Sequence, residues 1–245
     1  MKKILLAAIA VSMLACSKKS SDSPPAPASG GTTPISVPSS VKDLDGKIYK
    51  TTTIGTQTWM AENLRTTKYN DGTAITIVTS GATWGSNYTN IASVPMMSYY
   101  NNNTTIGVTY GALYNWYAVD TKRLCPTGWH VPSDAEWTIL TDYLGGESGA
   151  GLKLKSTTGW NLVDTSGLNG TNEVNFTALP GGFRNYSDGV FNALGESGGW
   201  WSATADEISD AWSRNVRGST SDVNRVTRAS PKRGLGRSVR CLMDY

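Results

Sequence analysis

Two cysteines set far apart constrain this chain more than any other feature. Cys125 lies in Cys-Pro-Thr-Gly-Trp-His and Cys241 in Ser-Val-Arg-Cys-Leu. The pair reads as a disulfide that ties the middle of a domain to its end, a device of proteins that fold in an oxidising compartment. The third cysteine, Cys16, closes a short apolar run, Met1–Ala15, that opens with Lys2 and Lys3.

That opening has the parts of a secretory signal over residues 1–15: a basic start, an apolar stretch and small residues before a cut. It is too short for a bilayer, which needs roughly 20 apolar residues. Leu14-Ala15-Cys16 resembles the bacterial lipobox, which implies acylation of Cys16 (palmitate among the chains) and a new N-terminus there. More than one acyl chain gives stable anchoring, whereas one is marginal. Ser17 follows in place of an inner-membrane retention signal of the Asp type, which favours the outer membrane of the cell envelope. Residues 16–40 are mostly Ser, Pro, Gly, Thr, Ala and Lys, a composition that cannot offset its ordering entropy and predicts a disordered tether.

The remaining 41–245, about 205 residues, suit one domain. Without Lys2 and Lys3 the 22 basic residues fall to 20 against 19 acidic ones, so the mature chain is nearly neutral. Nucleic acid, which needs a concentrated basic surface, is not an expected partner. The cations between Arg214 and Arg240 read as a solvated sheet face. Nine Trp and eleven Tyr against three Phe, with 26 Gly, point to a loop-rich, mostly β domain with amphipathic aromatic side chains.

Local signals give the elements. Ile48–Ile54, Gly55-Thr56 and Gln57–Ala61 predict a hairpin. The polar stretch Thr79–Thr105 reads as a surface excursion, and Tyr110–Val119 as a short helix with an aromatic face. Ser133 and Glu136 form a capping box, Trp137, Leu140 and Leu144 recur at helical spacing, and Gly145-Gly146 ends the helix. Short strands follow at Phe176–Leu179, Gly182–Tyr186, Val190–Leu194, Trp200–Ala203, Ala211–Val216, Val223–Arg228 and Ser238–Leu242.

These residues carry a resemblance. Thr53-Ile54-Gly55-Thr56-Gln57-Thr58-Trp59-Met60-Ala61-Glu62-Asn63-Leu64 is similar to the start of the Fibrobacter succinogenes major paralogous domain. Tyr110–Val119, Leu124–Trp137, Leu179–Arg184, Gly199–Thr204 and Ser238–Cys241 continue it in order. Members are chiefly envelope lipoproteins and secreted proteins, mostly without assigned activity. Val131–Trp137 and Gly182-Phe183-Arg184 also resemble parts of the formylglycine-generating sulfatase-modifying domain. The resemblance implies an α+β, C-type lectin-like fold: a twisted antiparallel sheet, one or two helices, long loops and a Cys125–Cys241 bridge. Closing about 117 residues is worth on the order of 4–5 kcal/mol in the chain-entropy model. Two departures stand out. Arg237 sits where the family favours an aromatic, and the lectin triplets Glu-Pro-Asn, Gln-Pro-Asp and Trp-Asn-Asp do not occur.

Chemistry is weakly marked, and no enzyme is expected. His130 is the only histidine, so no His-pair metal site exists, and a structural hydrogen-bonding role suits it better than catalysis. Asp206, Glu207 and Asp210 are a weak calcium candidate; no other cofactor is expected. In the strand holding Trp200 and Trp201, neighbours face opposite ways, so one ring is expected to approach the surface, either as a ligand platform or covered there by the stretch Thr79–Thr105. The chain then reads as a lipid-anchored, lectin-like binding domain for a glycan or envelope protein. A structural envelope role and a carbohydrate-active enzyme are the alternatives.

Overall fold

The hairpin expected at the start of the domain forms as read. Strand β1 (Ser40–Lys42) leads into β2 (Ile48–Ile54) and β3 (Gln57–Met60), with Gly55 at φ +60° in the turn. The computed structural model describes residues 37–89, 94–161, 169–218 and 224–245. The signal 1–15, Cys16 and most of the tether lie outside the described residues, and Val37–Tyr245 forms one compact unit.

After the hairpin come β4 (Thr76–Ile77), α1 (Gly81–Thr89), β5 (Met96–Ser98), α2 (Thr104–Tyr110), β6 (Leu113–Tyr114) and α3 (Trp116–Asp120). The second half holds β7 (Trp129–His130), α4 (Asp134–Tyr143), α5 (Ala150–Leu154), β8 (Gly181–Arg184) and β9 (Phe191–Leu194). It ends with β10 (Ser197–Ala205), β11 (Ala211–Arg217), β12 (Val226–Ala229) and β13 (Leu242–Met243). A five-stranded sheet runs β1-β2-β3-β13-β7, and β10-β11-β12 form a second, antiparallel sheet. A small sheet β4-β5-β6 contains a parallel pair, and β8 pairs with β9. The protein is thus mixed α+β, with short helices, mainly antiparallel sheets and the Cys125–Cys241 disulfide.

Helix α4 follows its sequence signal closely. The Ser133 hydroxyl accepts from the Glu136 amide at 3.2 Å while the Glu136 carboxylate accepts from the Ser133 amide at 2.7 Å. Trp137, Leu140 and Leu144 are buried on one face. They pack with Trp59, Phe176, Trp200 and Leu242 in one core cluster. A second cluster gathers Tyr49, Met60, Leu64, Tyr114, Trp116, Trp201 and Val239.

Four expectations are corrected. The stretch Thr79–Thr105 is not merely a surface excursion: it carries α1, β5 and the start of α2, and buries Trp84, Met96, Met97 and Tyr100. Its few apolar side chains lack helical or strand spacing, so polar neighbours hid them. Tyr110–Val119 is not one helix; Gly111 at φ +80° breaks it, and strand β6 separates α2 from α3. Phe176–Leu179 contributes only the Ala178–Lys155 bridge, and of Ser238–Leu242 only Leu242 enters a strand.

The C-terminal cations are a solvated face only in part: Arg217, Arg225 and Arg228 are exposed as expected. Arg214 and Arg240 are buried, as is Arg184. Arg184 donates to the carbonyls of Val78, Thr79 and Gly189 and stacks on Trp84 at 4.5 Å. Burial pulls its pKa down to about 10. Arg240 donates to the carbonyls of Phe176 and Thr177 and to Asn63 Oδ1, and lies over the Phe176 ring. These guanidiniums act as braces whose several donors satisfy loop carbonyls at once.

Candidate functional site

A cleft of about 410 Å³ opens beside the disulfide. Val119 of α3, Leu124, Cys125, Val131 and Ala203 of β10 supply its apolar wall. Lys122, His130, Ser133 and Glu136 supply the polar part. The start of α4 is fixed to β10 by the Ala203 amide, which donates to the Pro132 carbonyl at 2.8 Å. It is also held by Asp134, which receives Arg214 at 2.5 Å and Arg228 at 2.9 Å. A smaller cavity of about 240 Å³ lies across Leu124 and Cys125, next to Lys68 and Tyr69.

His130 is the electrostatic centre of the cleft. Its Nδ1 meets Asp244 Oδ1 at 2.5 Å and its Nε2 meets Glu136 Oε1 at 3.0 Å. With a carboxylate on each nitrogen, the ring is stable as an imidazolium donating twice. The Glu136 hydrogen bond, aided by Asp244 and opposed by partial burial, holds its pKa above the ordinary value. The same contact pulls Glu136 down to about 2, helped by the Ser133 amide and hydroxyl. The cluster ties the chain end, β7 and the N-terminus of α4 together, as the structural role read for His130 requires.

This arrangement does not build a hydrolytic triad. The Ser133 hydroxyl donates to Glu136 at 2.8 Å, not to His130, and both ring nitrogens are already taken. Among the described residues of the cleft no nucleophile therefore faces a free base, which acyl-transfer chemistry requires.

The sequence-predicted platform is not at this face. Trp200 is 1 % exposed and Trp201 0 %, so neither ring reaches the surface. The alternation itself holds. The two rings point into the two core clusters because β10 is covered on both faces. Trp201 Nε1 donates to the Tyr114 carbonyl at 2.8 Å, and Trp200 Nε1 to Asn63 Oδ1 at 2.8 Å. Asp206, Glu207 and Asp210 do not assemble a calcium site. Asp210 pairs with Lys232 at 3.0 Å, and among the described residues no group of three acidic, His or Cys side chains could hold a metal.

Of the cleft's polar residues the sequence reading picked out His130, Ser133 and Glu136 but missed Lys122, and it passed over two exposed tyrosines. Tyr245 follows Asp244 in the chain, and its ring is 74 % exposed; its hydroxyl donates to the Thr56 carbonyl and accepts from the Thr58 amide. Tyr143, 64 % exposed on α4, packs against Gly55 of the hairpin turn. Lys122 stands three residues before Cys125 and carried no local pattern that set it apart. No described helix is long and apolar enough to cross a membrane.

The family model described as the Fibrobacter succinogenes major domain matches residues 52–243, more than half of the chain. Comparison with curated proteins and with solved structures found no match.

Proposed function

The chain belongs to the Fibrobacter succinogenes major domain family, and from that premise we propose that it is a lipid-anchored envelope protein whose domain binds a partner without catalysing a reaction. The single observation that carries the binding role is the cleft of about 410 Å³ with its mostly apolar wall and charged polar side. That size and lining match a recognition pocket of the smaller kind. A scaffold of short strands with ligand groups on its connecting segments suits recognition better than bond-making.

In this reading the domain is lectin-like in architecture but is set up for an envelope protein before a glycan. Sugar rings need exposed aromatic planes with several polar groups, and the two tryptophans expected to supply them are buried. An apolar wall receives hydrocarbon side chains. Cys16 carries the acyl chains, the tether follows it as far as the compact unit that begins at Val37, and the outer membrane is the expected location.

The test combines place and binding. Wild-type protein should fractionate with the outer membrane and incorporate labelled palmitate, while Cys16→Ser should do neither. Glycan arrays with and without calcium should stay silent, and binding of a defined envelope protein should fall in an Ala203→Leu variant that narrows the cleft. Saturable glycan binding unaffected by Ala203→Leu would overturn the reading.

A further inference from the structure

The cleft's charges are unequally engaged. The Glu136 carboxylate is held by His130 and by the Ser133 amide and hydroxyl, and His130 is held by two carboxylates. Lys122, which also lines the cleft, is exposed, and its ammonium makes no hydrogen bond or ion pair with any described residue. Lys122 is therefore the cation of the cleft whose ammonium has no described partner, beside an apolar wall and a His130–Glu136–Asp244 cluster that carries one excess negative charge.

The backbone at Lys122 supplies an independent observation. Lys122 stands at φ +59°, just past the end of α3, where its amide donates to the Val119 carbonyl. This is the position where a helix usually ends on glycine or asparagine, because other side chains are strained there. Among the described residues seven non-glycines hold positive φ, and four of them are asparagine, which tolerates it. Thr177 is another, and its side chain is hydrogen-bonded to Asn172. Ala193 has no polar side chain to hold it there, and the Lys122 side chain makes no local bond either. The fold would be served better by glycine, and what the lysine adds is a charge at the cleft.

We propose that the cleft binds a carboxylate carried on a hydrocarbon group, with Lys122 pairing the carboxylate and the wall of Val119, Leu124, Val131 and Ala203 receiving the hydrocarbon. This rests on the cleft being the binding site and names the chemistry it recognises. The occupant is the C-terminal apolar residue of a protein partner, in line with the binding role proposed above; a free fatty acid shares the chemistry and is the alternative the test separates. C-terminal carboxylate capture is an established mode of peptide recognition. A cleft of about 410 Å³ accommodates either an apolar dipeptide end or a medium alkyl chain.

The experiment is calorimetric and NMR titration of the full chain carrying Cys16→Ser, which keeps it free of lipid. The probes are N-acetyl-Leu-Leu with a free carboxylate, its C-terminal amide, decanoate and decanol. The acids should bind roughly threefold to tenfold tighter than their neutral counterparts, the range of a partly exposed charge-assisted pair. Lys122→Gly should abolish that preference and raise the melting temperature by relieving the backbone. The peptide acid outranking decanoate assigns the protein source, and the reverse assigns the lipid source. Equal binding of acid and neutral probes, or a preference that survives Lys122→Gly, overturns the carboxylate assignment while leaving the cleft as a binding site. No binding by any probe overturns both.

Discussion

Removing the side chain of Asn63 should cost this domain a large share of its stability. Asn63 is 2 % exposed, and its Oδ1 accepts from Trp200 Nε1 at 2.8 Å and from Arg240 Nη2 at 2.7 Å. Its amide donates to the Tyr110 carbonyl at 2.9 Å. Asn63→Ala strands the indole N–H, removes one acceptor from a buried guanidinium and leaves a carbonyl unpaired. At about 1–3 kcal/mol for each buried group left unsatisfied, and with Arg240 keeping its two carbonyl acceptors, the sum is about 3–5 kcal/mol. Native domains have about 5–15 kcal/mol in total, so the variant should unfold at much lower urea. Asn63→Asp keeps both acceptors and loses only the amide donors, so it should cost about 1–2 kcal/mol at neutral pH. Urea titration followed by tryptophan fluorescence measures both. An Ala variant costing under about 1 kcal/mol, or an Asp variant costing more than Ala, would refute the argument that Arg240 and Trp200 depend on this acceptor.

Three further outcomes are expected. Cys125→Ser with Cys241→Ser should lose about 4–5 kcal/mol by the chain-entropy estimate for residues 116 apart, read as a shift in urea midpoint that added reductant reproduces in wild type. The His130 pKa is raised on folding, so its contribution is complete below the unfolded value of about 6.5 and is lost as pH rises through the folded value. Glu136 is depressed to about 2, so its contribution is present above about 4.5 and is lost as pH falls toward 2. Melting temperature should therefore decline on both sides, and His130→Gln should flatten the alkaline limb; an unchanged limb would show that the clamp adds nothing. Trp201→Ala should destabilise by about 3–5 kcal/mol, as large-to-small core changes do, and circular dichroism with urea would expose the error if the variant kept wild-type stability.

Much of the framework was legible because local chemistry decided it. Helix α4 announced itself through Ser133, Glu136 and its leucine spacing, and the first hairpin through β-branched residues around Gly55-Thr56. The disulfide followed from two cysteines alone in a long domain. What escaped depended on tertiary partners. Trp200 and Trp201 alternate as any strand does, but whether the outer face is wet depends on what covers β10. The buried arginines look like surface charge until loop carbonyls 60 to 180 residues away are seen to receive them. The cleft joins α3, β7, α4 and β10, and no local pattern encodes that meeting; of its polar residues only His130 and the capping pair stood out.

The central claim is that a partner enters this cleft. A photoreactive residue placed at Lys122 in cells, with Val108, 69 % exposed on α2, as the control position, tests it most directly. A discrete adduct from position 122 that is absent from 108 and weakened by Ala203→Leu is the predicted result. No adduct at 122, or equal adducts at both positions, would contradict the account.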